Sequence, residues 1–307
     1  MSSPQIGITG AGGMIGRYLT ENWEDVGLNL YSSQNLGLKN SVFRRHPDPN
    51  QDELASFVKS SGIIIHLGHD ANPIESNQCF PQSFGVNISF TQRLISELSS
   101  QQAGKCPLLI YLSSGGTVYG ESPPIEGGFT ECHATLPLSP YGLEKLTCEH
   151  LLRLGASRGY YKLVVLRASN IYGAPLEKNR SQGIIGVWLA RIKSGLPLKL
   201  TMNPQTIRDY LHLQDLSSAL RQVINTNLPE SFYCFNVSSG QGHSISDLLE
   251  IIGTITQSEV KLQSTLSSYS TNAPTWNVLN HDKITANTGW RPTISIENGI
   301  ASMWDIL

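Results

Sequence analysis

The sequence is poor in charge and has no long apolar run. Of its 307 residues only 15% are Asp, Glu, Lys or Arg, and the formal net charge is −2. This balance argues against the basic surface of a nucleic-acid-binding protein. No apolar segment is long enough to span a bilayer, and the N-terminus lacks a basic region followed by an apolar one. We therefore expect a cytoplasmic protein that binds neither nucleic acid nor a membrane.

Cysteine is also scarce, and its spacing carries no signal for a metal site. The five cysteines are scattered along the chain without the paired spacing of metal ligands, at Cys79, Cys106, Cys132, Cys148 and Cys234. We expect free thiols in a reducing compartment and no metal.

Apolar strands alternate with helical segments over the first 173 residues. One such strand is the continuous run Ile63–Ile65, and such runs are typical of strands buried on both faces of a parallel sheet. The alternation predicts an α/β fold with a doubly wound parallel sheet. We expect residues 1–173 to form this domain, with segments within 206–237 returning to it, and 174–307 to form a smaller α/β lobe.

A glycine-rich loop joins the first predicted strand to the first helix. It contains Gly10, Gly13 and Gly16, with Met14 and Ile15 between the last two. Glycine allows the sharp turn and the close approach of backbone to a pyrophosphate, and a helix N-terminus attracts the phosphates. The loop predicts a dinucleotide-binding site.

The end of the second strand leaves the choice of dinucleotide open. An acidic residue is expected there to hold the ribose of NAD, but Ser32 and Ser33 take its place. Arg44 and Arg45 follow, and serines with a nearby arginine can accommodate the extra phosphate of NADP. NAD and NADP therefore both stay open.

The segment from Ser139 to Lys145 predicts the start of a helix that carries a proton-transfer pair. Ser139 can cap this helix and Pro140 suits its first position. Tyr141 and Lys145 are four residues apart and share one face. A phenol beside an ammonium loses its proton more easily, which suits alcohol–ketone chemistry.

Taken together, these residues resemble the extended short-chain dehydrogenase/reductase family, in particular its nucleotide-sugar 4-epimerases and dehydratases. The matching positions run in order along nearly the whole chain: Gly10, Gly13, Gly16, His66, Leu67, Asn87, Ser113 to Gly120, Tyr141, Lys145, Asn170 to Gly173, Arg208 to Tyr210 and Gly289 to Pro292.

The resemblance implies roles for individual residues. Tyr141 is expected to be the catalytic base, and Lys145 to lower its pKa and bind the nicotinamide ribose. Asn170 is expected near the nicotinamide and the sugar, and Arg208 on the nucleotide diphosphate. Cofactor contacts are expected at the glycine loop and at Ser32, Ser33, Leu67, Asn87 and Ser113. A homodimer is the family expectation.

One departure concerns the hydroxyl that the family places beside the tyrosine. Gly115 stands at that position, so we expect Thr117 to supply the hydroxyl, with Ser114 as the alternative. If the backbone stays extended, strand alternation returns Thr117 to the face of Gly115. Gly116 and Thr117 also replace the Asp-Glu pair of the family's dehydratases, which disfavours dehydration.

Three functions follow from this resemblance. The first is a nucleotide-sugar 4-epimerase that retains NAD, of the UDP-glucose/galactose or N-acetyl type, serving polysaccharide biosynthesis. The second is an NADPH-dependent reductase of a nucleotide-linked 4-keto-6-deoxysugar, which the missing acidic residue favours. The third is a non-catalytic dinucleotide-binding protein, against which the intact Tyr141 and Lys145 argue.

Overall fold

The chain folds as two compact units, each assembled from segments that are not consecutive in sequence. The first comprises Met1–Ser114, Ser139–Arg167 and Asn227–Phe235, and the second Gly115–Leu138, Ala168–Thr226 and Asn236–Leu307. The computed structural model describes residues 5–32, 41–45, 52–68, 84–101, 106–174, 183–200, 202–258, 260–264 and 274–307.

The strands follow one another as β1 Ile6–Thr9, β2 Leu28–Ser32, β3 Ser41–Arg45, β4 Ile63–His66, β5 Leu108–Ser114, β6 Lys162–Ala168, β7 Asn170–Tyr172, β8 Leu198–Leu200, β9 Ile207–His212, β10 Phe232–Val237, β11 Gly242–Ser244, β12 Leu262–Ser264 and β13 Trp276–Asn277. The helices are α1 Met14–Asn22, α2 Asp52–Ser60, α3 Val86–Ser99, α4 Gly115–Val118, α5 Pro140–Ser157, α6 Ile184–Lys193, α7 Leu213–Asn225, α8 Ile245–Thr256, α9 Asp282–Thr288 and α10 Ile296–Asp305. None of the helices in these residues is both long and apolar enough to cross a membrane.

The first unit is built on a seven-stranded sheet in the order β10-β6-β5-β4-β1-β2-β3. The pairings from β3 through β2, β1 and β4 to β5 are parallel. The chain moves outward from β1 to β3 and then returns to the other side of β1 as β4, which creates the reversal point where such sheets bind ligands. The predicted doubly wound fold is confirmed.

Burial explains why the central strands are apolar throughout. Ile8, Ile64 and Ile65 are completely shielded from solvent, because helices cover both faces of a parallel sheet. On one side Tyr31, Phe57 and residues of α3 and α5 form a continuous core.

The second unit has its own smaller sheet and its own core. Strand β9 pairs with β11, β13 and β7, while β12 pairs with β8. Helices α6, α8 and α10 enclose Trp188, Ile245 and Ile300. Strand β9 carries Arg208 and β7 carries Asn170, so pairing of these two strands brings the predicted substrate residues onto neighbouring strands.

Candidate active site

The glycine loop follows β1 and is held by its own backbone. Gly10 has φ +70°, a conformation that other residues rarely adopt, and its N–H donates to the Tyr31 carbonyl. A Cβ at Gly16 would lie 2.5 Å from the Gly10 oxygen. Gly13 precedes α1 without any side-chain cap, so the first N–H groups of α1 are not used by a capping side chain. These features fit a dinucleotide pyrophosphate.

Ser32, at the end of β2, supports this loop directly. Its hydroxyl accepts a 3.1 Å hydrogen bond from the Gly12 N–H, twenty residues earlier in the chain. Ser32 is buried and is the last residue of the strand, where an acidic residue would hold the ribose of NAD. Ser33 and the side chains of Arg44 and Arg45 lie outside the described residues.

The end of β4 joins the glycine loop through a polar contact. His66 Nδ1 and the Thr9 hydroxyl form a 2.7 Å hydrogen bond, and the Leu67 N–H donates to the Thr9 carbonyl. Burial, with a smaller effect of Lys145, lowers the pKa of His66 to about 3. His66 is therefore neutral at physiological pH, and Leu67 lies beside the loop that would hold the dinucleotide.

Helix α5 begins as the sequence predicts and presents Tyr141 and Lys145 together. Ser139 accepts from the Gly142 N–H at 3.1 Å, and Pro140 occupies the first turn. The Lys145 Nζ lies 5.8 Å from the centre of the Tyr141 ring. It donates a 2.9 Å hydrogen bond to the Leu112 carbonyl of β5, so the strand fixes its position.

The pKa of Tyr141 does not change in the expected direction. Burial, and then the Glu144 carboxylate, raise it to about 12. Burial also lowers the pKa of Lys145 to about 8. The decrease in the Tyr141 pKa that the spacing predicted is therefore not found in this structure, and the role of Lys145 as the cation that favours the ionised tyrosine stays a prediction.

Glu144, which lies between Tyr141 and Lys145 in the sequence, connects α5 to the start of α3. One of its carboxylate oxygens accepts from the Gly85 N–H at 2.9 Å and the other from the Asn87 side-chain amide at 3.2 Å. Glu144 is 1% exposed, so this link is shielded from water. The link orients Asn87, which was predicted to contact the cofactor.

Sequence reasoning missed a buried charge network on the same helix. Glu149 accepts hydrogen bonds from the Ser113 hydroxyl at the end of β5 and from Arg167 on β6. The Arg167 and Glu149 side chains form an ion pair of 2.7 Å. The signals available in the sequence were an acid four residues after Lys145 and an arginine directly after the apolar run Leu163–Leu166.

The segment that carries Thr117 curls instead of extending. Gly115–Val118 forms the short helix α4, so strand alternation does not place Thr117 on the face of Gly115. The argument that selected Thr117 over Ser114 is therefore wrong, because two glycines let the chain turn immediately after β5. The hydroxyl role of either residue stays a prediction. Ser114 is the last residue of β5 in the first unit.

The second unit places the other predicted substrate residues close to α4. The Asn277 amide donates to the Gly115 carbonyl at 3.1 Å. A Cβ at Gly116 would lie 3.6 Å from the Asn170 amide, and Asn170 itself donates to the Asp209 carbonyl at 2.9 Å. Thr117, Asn170 and Arg208 thus lie on adjoining elements.

Arg208 is a buried cation bound to backbone oxygens. Among the described residues, its guanidinium donates to the carbonyls of Ile207 and Pro274 and not to a carboxylate. Burial lowers its pKa, which Tyr210 and Glu121 partly oppose. A buried cation bonded to carbonyls rather than to a carboxylate suits an anionic ligand.

Asp209, next to Arg208, has separate partners. Its carboxylate accepts from the Ser239 N–H and hydroxyl and from the Gly240 and Leu279 N–H groups. It therefore holds loops of the second unit against β9. In the described residues no cluster of three or more His, Cys, Asp or Glu could hold a metal ion.

Comparison with solved structures shows the same fold along almost the whole chain. The UDP-glucose 4-epimerase of Thermus thermophilus, in complex with NAD, matches with a TM-score of 0.86 and 23% identity over 98% of each chain. RMD from Pseudomonas aeruginosa, complexed with NADPH, matches with a TM-score of 0.80 and 22% identity over 99% of this chain and 98% of its own.

Sequence relatives include both a reductase and an epimerase. The dTDP-4-dehydro-6-deoxyglucose reductase of Escherichia coli is 31% identical over 81% of this chain and 76% of its own length. A putative UDP-glucose 4-epimerase of Methanocaldococcus jannaschii is 24% identical over 95% of both chains. The model of the NAD dependent epimerase/dehydratase family matches residues 6–237. The chain therefore belongs to the NAD dependent epimerase/dehydratase family.

Proposed function

We propose that this protein is a nucleotide-sugar 4-epimerase, of the UDP-glucose/galactose or N-acetyl type, that works with retained NAD. The observation that carries the proposal is the Tyr141–Lys145 pair at the start of α5, with its lysine bonded to the Leu112 carbonyl at the end of β5. A dinucleotide-binding protein without a reaction has no need of a base. We infer a cytoplasmic homodimer that serves polysaccharide biosynthesis.

In this mechanism Tyr141 removes the proton of the sugar's C4 hydroxyl and later returns it. NAD held at the glycine loop would supply the hydride acceptor for C4 and the donor for the opposite face of the sugar, so no cofactor would be consumed. Because the pKa of Tyr141 is raised to about 12, its proton is released near neutral pH only with positive charge nearby. Protonated Lys145 supplies that charge from the same face of α5.

The described residues also have a place for the nucleotide part of the substrate. Arg208 is cationic, buried and bonded only to carbonyls among the described residues, which suits a diphosphate. Asn170, on the adjacent strand, would bind the sugar near its reacting carbon. We infer that the first unit binds the dinucleotide and the second the nucleotide sugar.

A second function, NADPH-dependent reduction of a nucleotide-linked 4-keto-6-deoxysugar, has specific support. Ser32 stands where an acidic residue would hold the ribose of NAD, and its hydroxyl is bonded to Gly12. The 31% identical relative is named as a reductase. In this reaction Tyr141 would donate a proton to the C4 oxygen.

The nucleotide that remains bound after purification separates the two functions. Released NAD, together with interconversion of UDP-glucose and UDP-galactose or of their N-acetyl derivatives, supports the epimerase. An empty site, with NADPH oxidised only when a nucleotide-linked 4-keto-6-deoxysugar is added, supports the reductase. Absence of both activities in a folded protein would contradict both proposals.

A further inference from the structure

We propose that Glu149 is a positioning residue for the Tyr141–Lys145 pair, because it supplies the negative charge one helical turn after Lys145 and holds the adjoining end of β5. The effect of Glu149 on catalysis rests on the proposed function. Its electrostatic effect on Lys145 can be tested without any turnover.

Two consecutive residues of β5 are bonded to two successive turns of α5. The Leu112 carbonyl accepts from Lys145 Nζ at 2.9 Å, and the hydroxyl of the next residue, Ser113, donates to Glu149. Lys145 and Glu149 are four residues apart, so their side chains lie on one face of the helix. The end of the strand is thereby fixed against the part of α5 that carries the pair.

Arg167 keeps the Glu149 carboxylate in place. Its Nε lies 3.2 Å from both carboxylate oxygens, and its terminal nitrogen is 2.7 Å from one of them. Both side chains are about nine-tenths buried. A buried ion pair often contributes little net stability, so stability alone does not explain this pair. Because the Glu149 carboxylate lies one helical turn after Lys145, it can also act on the pKa of that lysine.

The groups that face Lys145 leave few sources of negative charge near neutral pH. Burial raises the pKa of Tyr111, Tyr141 and Cys148, and it lowers that of His66 to about 3, so all four are neutral. A Cys148 thiolate would oppose the effect of burial on the lysine pKa most strongly, but burial keeps this thiol protonated near neutral pH. The carboxylates of Glu149 and then Glu144 remain to oppose it. Glu144 also binds α3, whereas Glu149 is bonded to the residue after Leu112.

The consequence concerns the charge of the lysine in the resting enzyme. Burial lowers the pKa of Lys145 to about 8, which is close to physiological pH. Any loss of the neighbouring negative charge would lower that pKa further and leave the lysine partly neutral. Tyr141, whose own pKa is high, would then lose the cation that favours its ionised form.

The test is an NMR titration of the full-length protein labelled at the ε-carbon of lysine. The Lys145 signal is assigned as the one missing in Lys145→Met. Glu149→Gln keeps the shape of the side chain and a hydrogen-bond acceptor. In this variant we expect the midpoint of the Lys145 titration to move to lower pH by about one unit. Glu149→Asp keeps a carboxylate, so the Lys145 midpoint should return most of the way to the wild-type value. Glu21→Gln removes an exposed acid of α1 and is the matched control.

Turnover of UDP-glucose gives the second readout. In Glu149→Gln we expect kcat to fall about 5-fold at pH 8, because the protonated fraction of Lys145 falls by that factor, and to change little at pH 6.5, with the KM for the sugar nearly unchanged. An unchanged Lys145 midpoint in folded Glu149→Gln would overturn the inference and leave Glu149 a purely structural residue. A wild-type chain with no turnover would instead discard the proposed function, and the titration would still decide the inference.

If Glu149→Gln does not fold, a double variant provides the test. Glu149→Gln combined with Arg167→Met removes both charges of the ion pair, so neither partner is left as an uncompensated buried charge. The Lys145 midpoint should again move to lower pH. A midpoint equal to that of the wild type in this double variant would equally overturn the inference.

Discussion

The Nζ of Lys145 donates to the carbonyl oxygen of Leu112, so a helix side chain is bonded to the backbone of the central sheet. Leu112 is followed by Ser113, whose hydroxyl is bonded to Glu149 on the next turn of the helix. The proton-transfer pair is thus positioned by packing of α5 on β5 as well as by its spacing in sequence.

Tyr141→Phe should abolish turnover while leaving the fold and dinucleotide binding nearly intact. Only the ionisable oxygen is lost, and the ring keeps its packing. General base catalysis contributes about 100-fold or more, so kcat for UDP-glucose should fall at least by that factor. Circular dichroism and NAD titration check the fold and the cofactor. A variant with more than about a tenth of wild-type activity would remove Tyr141 as the base.

Arg208→Leu should weaken nucleotide-sugar binding far more than dinucleotide binding. Loss of a desolvated, charge-assisted contact with a diphosphate costs about 2–4 kcal/mol. The measurements are KM for UDP-glucose and the Kd of NAD. The exposed Arg158→Leu, which removes the same charge elsewhere, is the control. An unchanged KM would show that Arg208 only ties β9 to the Pro274 carbonyl.

Thr117→Val and Ser114→Ala should identify the hydroxyl that positions the C4 oxygen of the sugar. Loss of the correct hydroxyl should lower kcat by about 10–1,000-fold with little effect on cofactor binding. If the role belongs to Thr117, Thr117→Val shows the larger loss and Thr117→Ser keeps near-normal activity. If Thr117→Val runs at the wild-type rate while Ser114→Ala fails, the role belongs to Ser114.

His66 should make the protein sensitive to acid. Its pKa is lowered to about 3 in the folded chain from 6.5 in the unfolded one, so the unfolded state binds more protons between these values. The free energy of unfolding should therefore fall as pH drops from 6.5 toward 3, by about 1.4 kcal/mol per pH unit from this residue. Urea unfolding of the wild type and of His66→Asn at pH 7, 6, 5 and 4 isolates the contribution.

His66→Asn should be less stable at pH 7 yet show a shallower loss of stability on acidification. Equal slopes in the two proteins would mean that His66 is already accessible to protons in the folded state. The Thr9–His66 hydrogen bond would then not keep the ring neutral.

Local pattern in the amino-acid sequence was enough to predict buried strands such as β4, the glycine loop and the start of α5. Apolar runs such as Ile63–Ile65 are typical of buried strands, the glycine loop requires residues without a Cβ, and Ser139 with Pro140 starts α5. These signals act over a few residues. They are present in the unfolded chain, so they can be read without the fold.

The partners and the electrostatics of the site, in contrast, came from tertiary packing alone. Glu149 meets Ser113 and Arg167 across 36 and 18 residues, and Asp209 binds Ser239 instead of Arg208. Curling of Gly115–Val118 removed the argument for Thr117, and burial raised the pKa of Tyr141 where spacing predicted a decrease. Burial and long-range contacts arise from packing of the whole chain, so no short segment of sequence contains them.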